Sequence, residues 1–144
     1  MVATPLADPL VVKVKARSGT ALPGVVVTFA VTAGGATLSR LTAVTDSAGN
    51  ASTNLTLGTI AGSNTVSASA TNIGSVSFTE SAVAGAASKL ALSPATAITS
   101  AGVAVSYKAA IQDVYGNTVS TETNPVSFTA TGLAGSFSPA ERPV

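Results

Sequence analysis

One short stretch of the sequence occurs twice, and this repeat constrains the fold more than any other feature. Residues Val27–Ser39 read VTFAVTAGGATLS, and residues Val126–Ser138 read VSFTATGLAGSFS, which aligns without a gap. The copies lie roughly a hundred residues apart, a spacing too long for a solenoid repeat and typical of one β-sandwich domain. We therefore expect two consecutive sandwich units, the second incomplete because little sequence follows its copy of the repeat.

Alternation of apolar and polar residues predicts antiparallel strands with one buried face and one hydrated face. The inward faces include Phe29 and Phe78, and by the repeat also Phe128 as a core anchor of the second unit. No segment has a sustained helical period. Asn72–Gly74 is the clearest hairpin turn, since Asn and Gly tolerate positive φ. The predicted strands of the first unit lie over Leu10–Ala16, Val25–Thr32, Ala51–Leu57, Asn64–Thr71 and Ser75–Thr79.

The same patterns divide the chain into residues 1–85 and residues 86–144. In the first unit, Val2–Leu6 supplies only the end of a first strand. In the second unit we expect the first three strands and the start of a fourth. These strands are predicted over Lys89–Ser93, Val103–Gln112 and Pro125–Thr131, with a turn at Asp113–Asn117.

Composition excludes several classes of function. The chain has no cysteine and no histidine, so it lacks disulfides, thiolate metal sites and the commonest general base. The net charge is +1 and only 9% of residues are charged, which argues against a nucleic-acid surface. No apolar run is long enough to span a membrane, and the opening MVATPLADPL lacks the pattern of a signal peptide.

Four phrases in order give the chain a family resemblance. They lie at Pro9–Val14, Pro23–Ser39, Thr45–Ser52 and Ser88–Leu90. Together they resemble bacterial Ig-like domains of the invasin and intimin type, which form tandem arrays in surface adhesins. The resemblance implies an all-β fold of Ig-like antiparallel sandwiches in tandem. It also implies neighbouring Ig-like modules as partners and an extracellular or cell-surface location, with the export signal outside this segment.

Two turns share the form D-x-x-G-N and are the candidate metal sites. Asp46 and Asn50 belong to one, and Asp113 and Asn117 to the other. Calcium needs six to eight oxygen ligands, whereas each turn offers one carboxylate and one amide. The favoured interpretation is an Asp that caps its own turn, with calcium binding as the alternative. In the first unit the turn at Ala16 lacks both the Asp and the Asn.

Other candidate sites are weaker. Tyr115 is the aromatic residue most exposed by its position and is the candidate for stacking on a glycan. The outward row of hydroxyl side chains on one strand could form an ice- or glycan-binding plane, but the favoured interpretation is a hydrated sheet face of good β-propensity. An isopeptide crosslink is not expected, since the outward-facing lysines do not meet an acid in the core. The hydroxyl row consists of Thr65, Ser67, Ser69 and Thr71, and the lysines are Lys13 and Lys15.

These observations predict a protein that is not an enzyme and has no cofactor or catalytic residue. The leading hypothesis is a spacer or stalk module of a bacterial adhesin. One alternative is a binding module for glycan, host protein or ice. The other is a fibre unit that exchanges strands with a second copy, since half a sandwich leaves strand edges unpaired.

Overall fold

The computed structural model describes residues 1–123 and 125–129, which contain ten β-strands and no helix. Every strand pair is antiparallel. The strands are Leu10–Lys13 (β1), Val26–Ala33 (β2), Thr37–Leu38 (β3), Thr42–Val44 (β4), Asn50–Thr53 (β5), Leu55–Thr56 (β6), Gly62–Ala70 (β7), Gly74–Ala82 (β8), Lys89–Ser93 (β9) and Lys108–Gln112 (β10).

Strands β1 to β8 form a sandwich. One layer is a four-stranded sheet in the order β4-β2-β7-β8, and the other contains the pairs β1-β5 and β3-β6. Phe29, Leu55 and Val66 lie in the apolar core between the layers and are at most 1% exposed. The expected all-β antiparallel sandwich is therefore confirmed, with Phe29 as a core anchor.

The alternation that predicted these strands arises from the pleat, which sends successive side chains to opposite faces. In β1, Leu10 and Val12 are buried while Val11 and Lys13 are exposed. The β7–β8 hairpin also follows the prediction. Asn72 in its turn adopts a φ of 61°, a left-handed conformation that asparagine tolerates better than most residues.

Two expectations for the sandwich need correction. On the predicted strand Ser75–Thr79, Val76 lies on the same face as the inward Phe78, yet it is 56% exposed, because β8 is an edge strand and nothing among the described residues covers this end of it. The single strand predicted over Ala51–Leu57 is instead two strands, β5 and β6, which pair with β1 and β3 respectively. The segment Val2–Leu6 runs beside β6. There Leu6 N–H donates to the carbonyl of Leu55, and Leu57 N–H donates to that of Thr4.

Strands β9 and β10 form a separate two-stranded sheet, called here the β9–β10 sheet. Strand β9 matches its prediction, Lys89–Ser93. The long strand predicted over Val103–Gln112 was wrong in its first half, since only Lys108–Gln112 is paired. Residues 125–129 are not in a strand, so that part of the prediction over Pro125–Thr131 was also wrong.

Phe128 is 44% exposed and so is not the buried core anchor that the repeat predicted. The rest of the second repeat copy, residues 130–138, lies outside the described residues, as does the predicted start of a fourth strand. The division of the chain at residues 85 and 86 stays a prediction.

Candidate functional site

Three five-residue turns in the chain share one backbone arrangement. They span Ala16–Thr20, Asp46–Asn50 and Asp113–Asn117. In each, the N–H of the first residue donates to the carbonyl of the fifth, and the N–H of the fourth donates to the carbonyl of the first. The fourth residue is always a glycine with φ between 78° and 93°, a backbone conformation that is strained for a residue with a side chain. The turns therefore share a backbone and differ in their side chains and in what surrounds them.

An aspartate caps two of the three turns. Asp46 Oδ1 accepts hydrogen bonds from the N–H groups of Ala48 and Asn50 over 2.8 and 2.9 Å. Asp113 Oδ1 accepts from those of Tyr115 and Asn117, both over 2.9 Å. The favoured interpretation of the D-x-x-G-N form, a self-capped turn, is confirmed. Ala16 has no such cap.

The Asp46 turn is local to the sandwich. Asp46 is exposed, and its carboxylate accepts only from within its own turn. The N–H of Asn50 is the main cause that lowers the pKa of Asp46. Gly49 is required for a second reason: a Cβ there would lie 2.5 Å from the carbonyl oxygen of Val14. This turn anchors β5 against β1.

The Asp113 turn reaches out of its own sheet. Asp113 is 1% exposed, and its second oxygen, Oδ2, accepts from the N–H of Gly85 over 2.8 Å. The same oxygen accepts from Asn117 Nδ2, also over 2.8 Å. Both carboxylate oxygens are thus engaged by two donors each. Gly85 lies in the segment that leaves β8, so this contact ties the turn to the end of the sandwich.

Asn117 makes the second connection. Its Oδ1 accepts from the N–H of Ala61, and its Nδ2 donates to the carbonyl of Thr59, each over 2.8 Å. Thr59–Ala61 lies in the loop between β6 and β7. The two partners fix the orientation of the amide, because a flipped Asn117 would place a donor against the Ala61 N–H and an acceptor against the Thr59 carbonyl.

We call this arrangement the junction: the Asp113–Asn117 turn, Gly85 and the Thr59–Ala61 loop. Three hydrogen bonds cross it, and they join residues 28 to 58 positions apart in the sequence. Burial by itself would raise the pKa of Asp113. The donors from Asn117, Gly85 and Tyr115 outweigh it and lower that pKa to about 2, so the carboxylate is ionised at neutral pH.

The chemistry of the junction differs from that of a cation site. Backbone and amide N–H groups converge on the Asp113 carboxylate, which is how a buried anion is stabilised without a metal. No group of three acidic residues able to hold a metal ion occurs within residues 1–123 and 125–129. Calcium binding by Asp46 and Asn50 or by Asp113 and Asn117 stays an untested alternative, and the described residues give it no additional ligand.

The remaining candidates lie elsewhere. Tyr115 projects from the junction turn and is 52% exposed. The hydroxyl row of β7 continues on β8 through the cross-strand pairs Thr65–Thr79, Ser67–Ser77 and Ser69–Ser75. Lys13 and Lys15 are exposed, as their outward alternation predicted.

Two asparagines matter more than sequence reasoning suggested. The role of Asn117 across the junction was missed, since its partners are backbone groups more than fifty residues away. Asn64 is fully buried, and its Oδ1 accepts from the N–H of Gly58. The sequence does indicate that Asn64 is buried, because Asn64 lies on the same inward-facing side of β7 as Val66 and Ala68. A polar residue in that row indicates a buried hydrogen bond.

Comparison with known proteins gives one result. A family model described as bacterial Ig-like domain (group 1) matches residues 7–83. Neither the curated proteins nor the solved structures include a significant match. In the described part of the chain, no helix has the length and apolar character needed to cross a membrane.

Proposed function

The chain belongs to the family of bacterial Ig-like domains (group 1), and on that premise we propose that it serves as a structural spacer in an adhesin-like protein of the bacterial surface. Domains of this family are typically structural or adhesion modules and are common in surface proteins. In this role the chain transmits force and sets distance, and neighbouring Ig-like modules are its partners.

The hydrogen bonding of the junction is the observation that carries the proposal. A spacer has to hold consecutive units at a fixed angle, whereas contacts between units are otherwise mobile by default. Gly85, Thr59 and Ala61 belong to the sandwich end, and Asp113 and Asn117 belong to the following sheet. Three bonds from three backbone positions restrain rotation about the linker better than one bond could.

Charge-assisted bonds strengthen this restraint. The Asp113 carboxylate is ionised, and hydrogen bonds to an ionised acceptor are roughly twice as strong as neutral ones. Asp113 is also almost completely buried, so water competes poorly for its oxygens. A junction of this kind supports stiffness without a large apolar interface.

The surface of the sandwich supports the same role. Outward positions on β7 and β8 carry serine and threonine rather than charged residues. Such faces are hydrated and favour strand structure without attracting a particular ligand. They suit a segment whose task is to separate other parts of a protein.

Small-angle scattering of the full chain tests the proposal. We expect an elongated particle, and we expect the Asn117→Ala variant to scatter as a broader ensemble. The matched control is Asn50→Ala, which alters the equivalent turn inside the sandwich and leaves the junction intact. A compact particle, or identical scattering from Asn117→Ala and the wild type, would contradict the spacer role.

A second candidate is binding through the hydroxyl face. The pairs Thr65–Thr79, Ser67–Ser77 and Ser69–Ser75 place six hydroxyl side chains side by side on two strands. Exposed hydroxyl groups in a row can bind a polymeric glycan by hydrogen bonds. A glycan array tests this candidate: binding lost in Ser67→Val with Ser77→Val, but kept in Tyr115→Ala, supports it. No binding by the wild type excludes it for the glycans tested.

A further inference from the structure

Strand β1 has one neighbour, β5, and the part of the chain that the structure describes places no strand on its other edge. In an antiparallel strand, the N–H and C=O of one residue point to the same edge. The N–H of Val14 donates to Gly49, and its carbonyl accepts from Leu22, so both serve the β5 edge. The opposite edge, at Lys13 and Lys15, is open.

In the β9–β10 sheet, the strand edge that corresponds to the open edge of β1 is occupied. The turn after β10 matches the turn after β1, and the contacts around it match as well. Val119 N–H donates to the carbonyl of Ile111 as Leu22 N–H does to that of Val14. The bridge Gln112–Thr118 likewise matches Lys15–Ala21. Strand β10 is therefore the counterpart of β1.

Strand β9 lies on the edge of β10 that is open in β1. The N–H of Ser88 donates to the carbonyl of Gln112, the counterpart of Lys15. In this pairing Leu90 stands opposite Ile111, and Leu92 opposite Ala109. Transferred to β1, Leu90 would face Val14 and Leu92 would face Val12.

A groove of about 350 Å³ lies at this edge of the sandwich. Val12 and Val14 of β1, Val27 and Ala68 of the facing sheet, and Ile73 and Val76 of the β7–β8 hairpin line it. It is the place where Val76 is unexpectedly exposed. Lys13, Lys15, Ser69 and Ser75 line it as well. The groove is thus a largely apolar slot beside an unpaired strand edge, and both features favour the addition of a strand.

The β9 strand has the complementary features. Leu90 and Leu92 are 64% and 44% exposed in their own sheet. Both lie on the face that would point into the groove. Docking there would remove apolar side chains from water on both partners and pair the open edge of β1, and the donor chain would give up its own β9–β10 pairing in exchange.

We propose that this groove accepts the Lys89–Ser93 strand of a second copy of the chain, in the register that pairs Leu90 with Val14. The exchange gives self-association through β-strand addition. This inference goes beyond the spacer role and does not depend on it, since the groove lies on β1 and β8 rather than at the junction.

The register makes a specific electrostatic prediction. Gln112 stands opposite Lys89 in the β9–β10 sheet, so Lys15 would stand opposite Lys89 in the exchanged pair. Like charges directly opposite each other destabilise a strand pair. Lys89→Glu should therefore strengthen self-association by about threefold, the order of one favourable cross-strand charge pair.

Sedimentation of the full chain over a range of concentrations tests the proposal. We expect concentration-dependent association that Val76→Lys weakens by more than about tenfold, since it places a charge in an apolar groove. Val44→Lys is the matched control, because Val44 is exposed on β4 at the other edge of the same sheet. Lys89→Glu should shift the equilibrium in the opposite direction.

A synthetic peptide with the sequence of residues 86–94 provides a second measurement. Labelled with a fluorophore, it should bind the full chain saturably, and the version with Leu90→Asp and Leu92→Asp should not. Amide signals of Val11, Lys13 and Lys15 should shift on binding. A chain that stays monomeric at every concentration overturns the proposal. The proposal is also overturned if Val76→Lys does not weaken self-association, or if the peptide does not shift the amide signals of β1.

Discussion

The backbone N–H of Gly85 donates to the Asp113 carboxylate over 2.8 Å, and this bond joins the end of the sandwich to the turn after β10. The donor is a backbone group and the acceptor is a buried, ionised side chain. The bond holds a linker glycine to a turn 28 positions further along the chain. The junction is thus built from one side-chain carboxylate, one side-chain amide and the main chain.

Replacing Gly85 by proline should loosen the junction. Proline has no N–H, so Asp113 Oδ2 loses one of its two donors. We expect the amides of β10 to exchange with solvent faster by roughly tenfold or more, the order of a lost hydrogen bond to a charged group. Hydrogen exchange monitored by mass spectrometry measures this effect.

Gly85→Ala is the matched control for that experiment. A Cβ at position 85 would lie 3.5 Å from Asp113 Oδ2 and 3.7 Å from the Val2 side chain, which are ordinary contacts. The alanine variant keeps its N–H and should exchange like the wild type. Equal amide exchange rates in the proline and alanine variants would show that the Gly85–Asp113 hydrogen bond does not stabilise β10.

Acid should weaken the junction within a defined range. The pKa of Asp113 is about 2 in the folded chain, against about 3.9 for an unperturbed aspartate. A carboxyl group whose pKa is lowered by folding contributes its full stabilisation at pH values above its pKa in the unfolded chain. This stabilisation is lost as the pH falls through its pKa in the folded chain. The loss should therefore lie between about pH 4 and pH 2.

A pH titration of the junction amides by NMR measures this loss. The chain has no histidine, so no side chain titrates near pH 6 to 7 at its ordinary pKa. Asp113→Asn should abolish most of the transition at the junction while leaving the titration of Asp46 in place. A junction that weakens between pH 5 and 8 would contradict the assignment to Asp113.

Phe29→Ala should destabilise the sandwich by about 3–5 kcal/mol, the range for removing a buried phenylalanine. Phe29 is 1% exposed and is among the largest buried side chains of the core. Leu41→Ala is the control, because Leu41 is 63% exposed and its loss should cost about 0.5 kcal/mol or less. Denaturant unfolding compares the two, and similar values would place Phe29 outside the core.

Asn64→Ala should destabilise the sandwich by about 1–3 kcal/mol, because it leaves the buried Gly58 N–H without its acceptor. Asn54→Ala provides the comparison, since Asn54 is exposed in the same region of the fold. Unfolding by urea distinguishes them. A negligible change in Asn64→Ala would mean that water replaces the side chain at Gly58.

Calcium should not affect folding. Donors rather than cations satisfy the Asp113 carboxylate, and the Asp46 carboxylate accepts from the N–H groups of Ala48 and Asn50. We expect the thermal midpoint to be the same with calcium and with a chelator. A higher midpoint in calcium that Asp113→Asn or Asp46→Asn removes would establish the D-x-x-G-N turns as calcium sites.

The sequence allowed the sandwich to be predicted because its strands alternate locally. The inward direction of Phe29, Val66 and Leu55 follows from the pleat of their strands, which depends only on neighbouring residues in the sequence. Val76 has the same pattern but is exposed, since burial at an edge also depends on which strand lies alongside. That information is not contained in the alternation of β8.

The junction could be predicted only in part for the same reason. The D-x-x-G-N form indicated that Asp113 caps its turn, because both partners lie within four residues. Nothing local indicates that Asp113 Oδ2 and Asn117 also bind Gly85, Thr59 and Ala61. Asp46 and Asn50 have the same form without those contacts, so the motif by itself does not distinguish a local turn from a junction.

The distance between two spin labels measures how rigid the junction is, and the absence of cysteine allows labels at Val44→Cys and Val114→Cys without other changes. Both positions are exposed, one on the sandwich and one on the junction turn. Pulsed dipolar spectroscopy should give one narrow distance distribution for the labelled chain and for its Asn50→Ala variant, and a broad one for Asn117→Ala. Two results would contradict a rigid junction held by Asp113 and Asn117. One is a broad distance distribution in the labelled chain that keeps Asn117, and the other is a distribution that stays narrow in the Asn117→Ala variant.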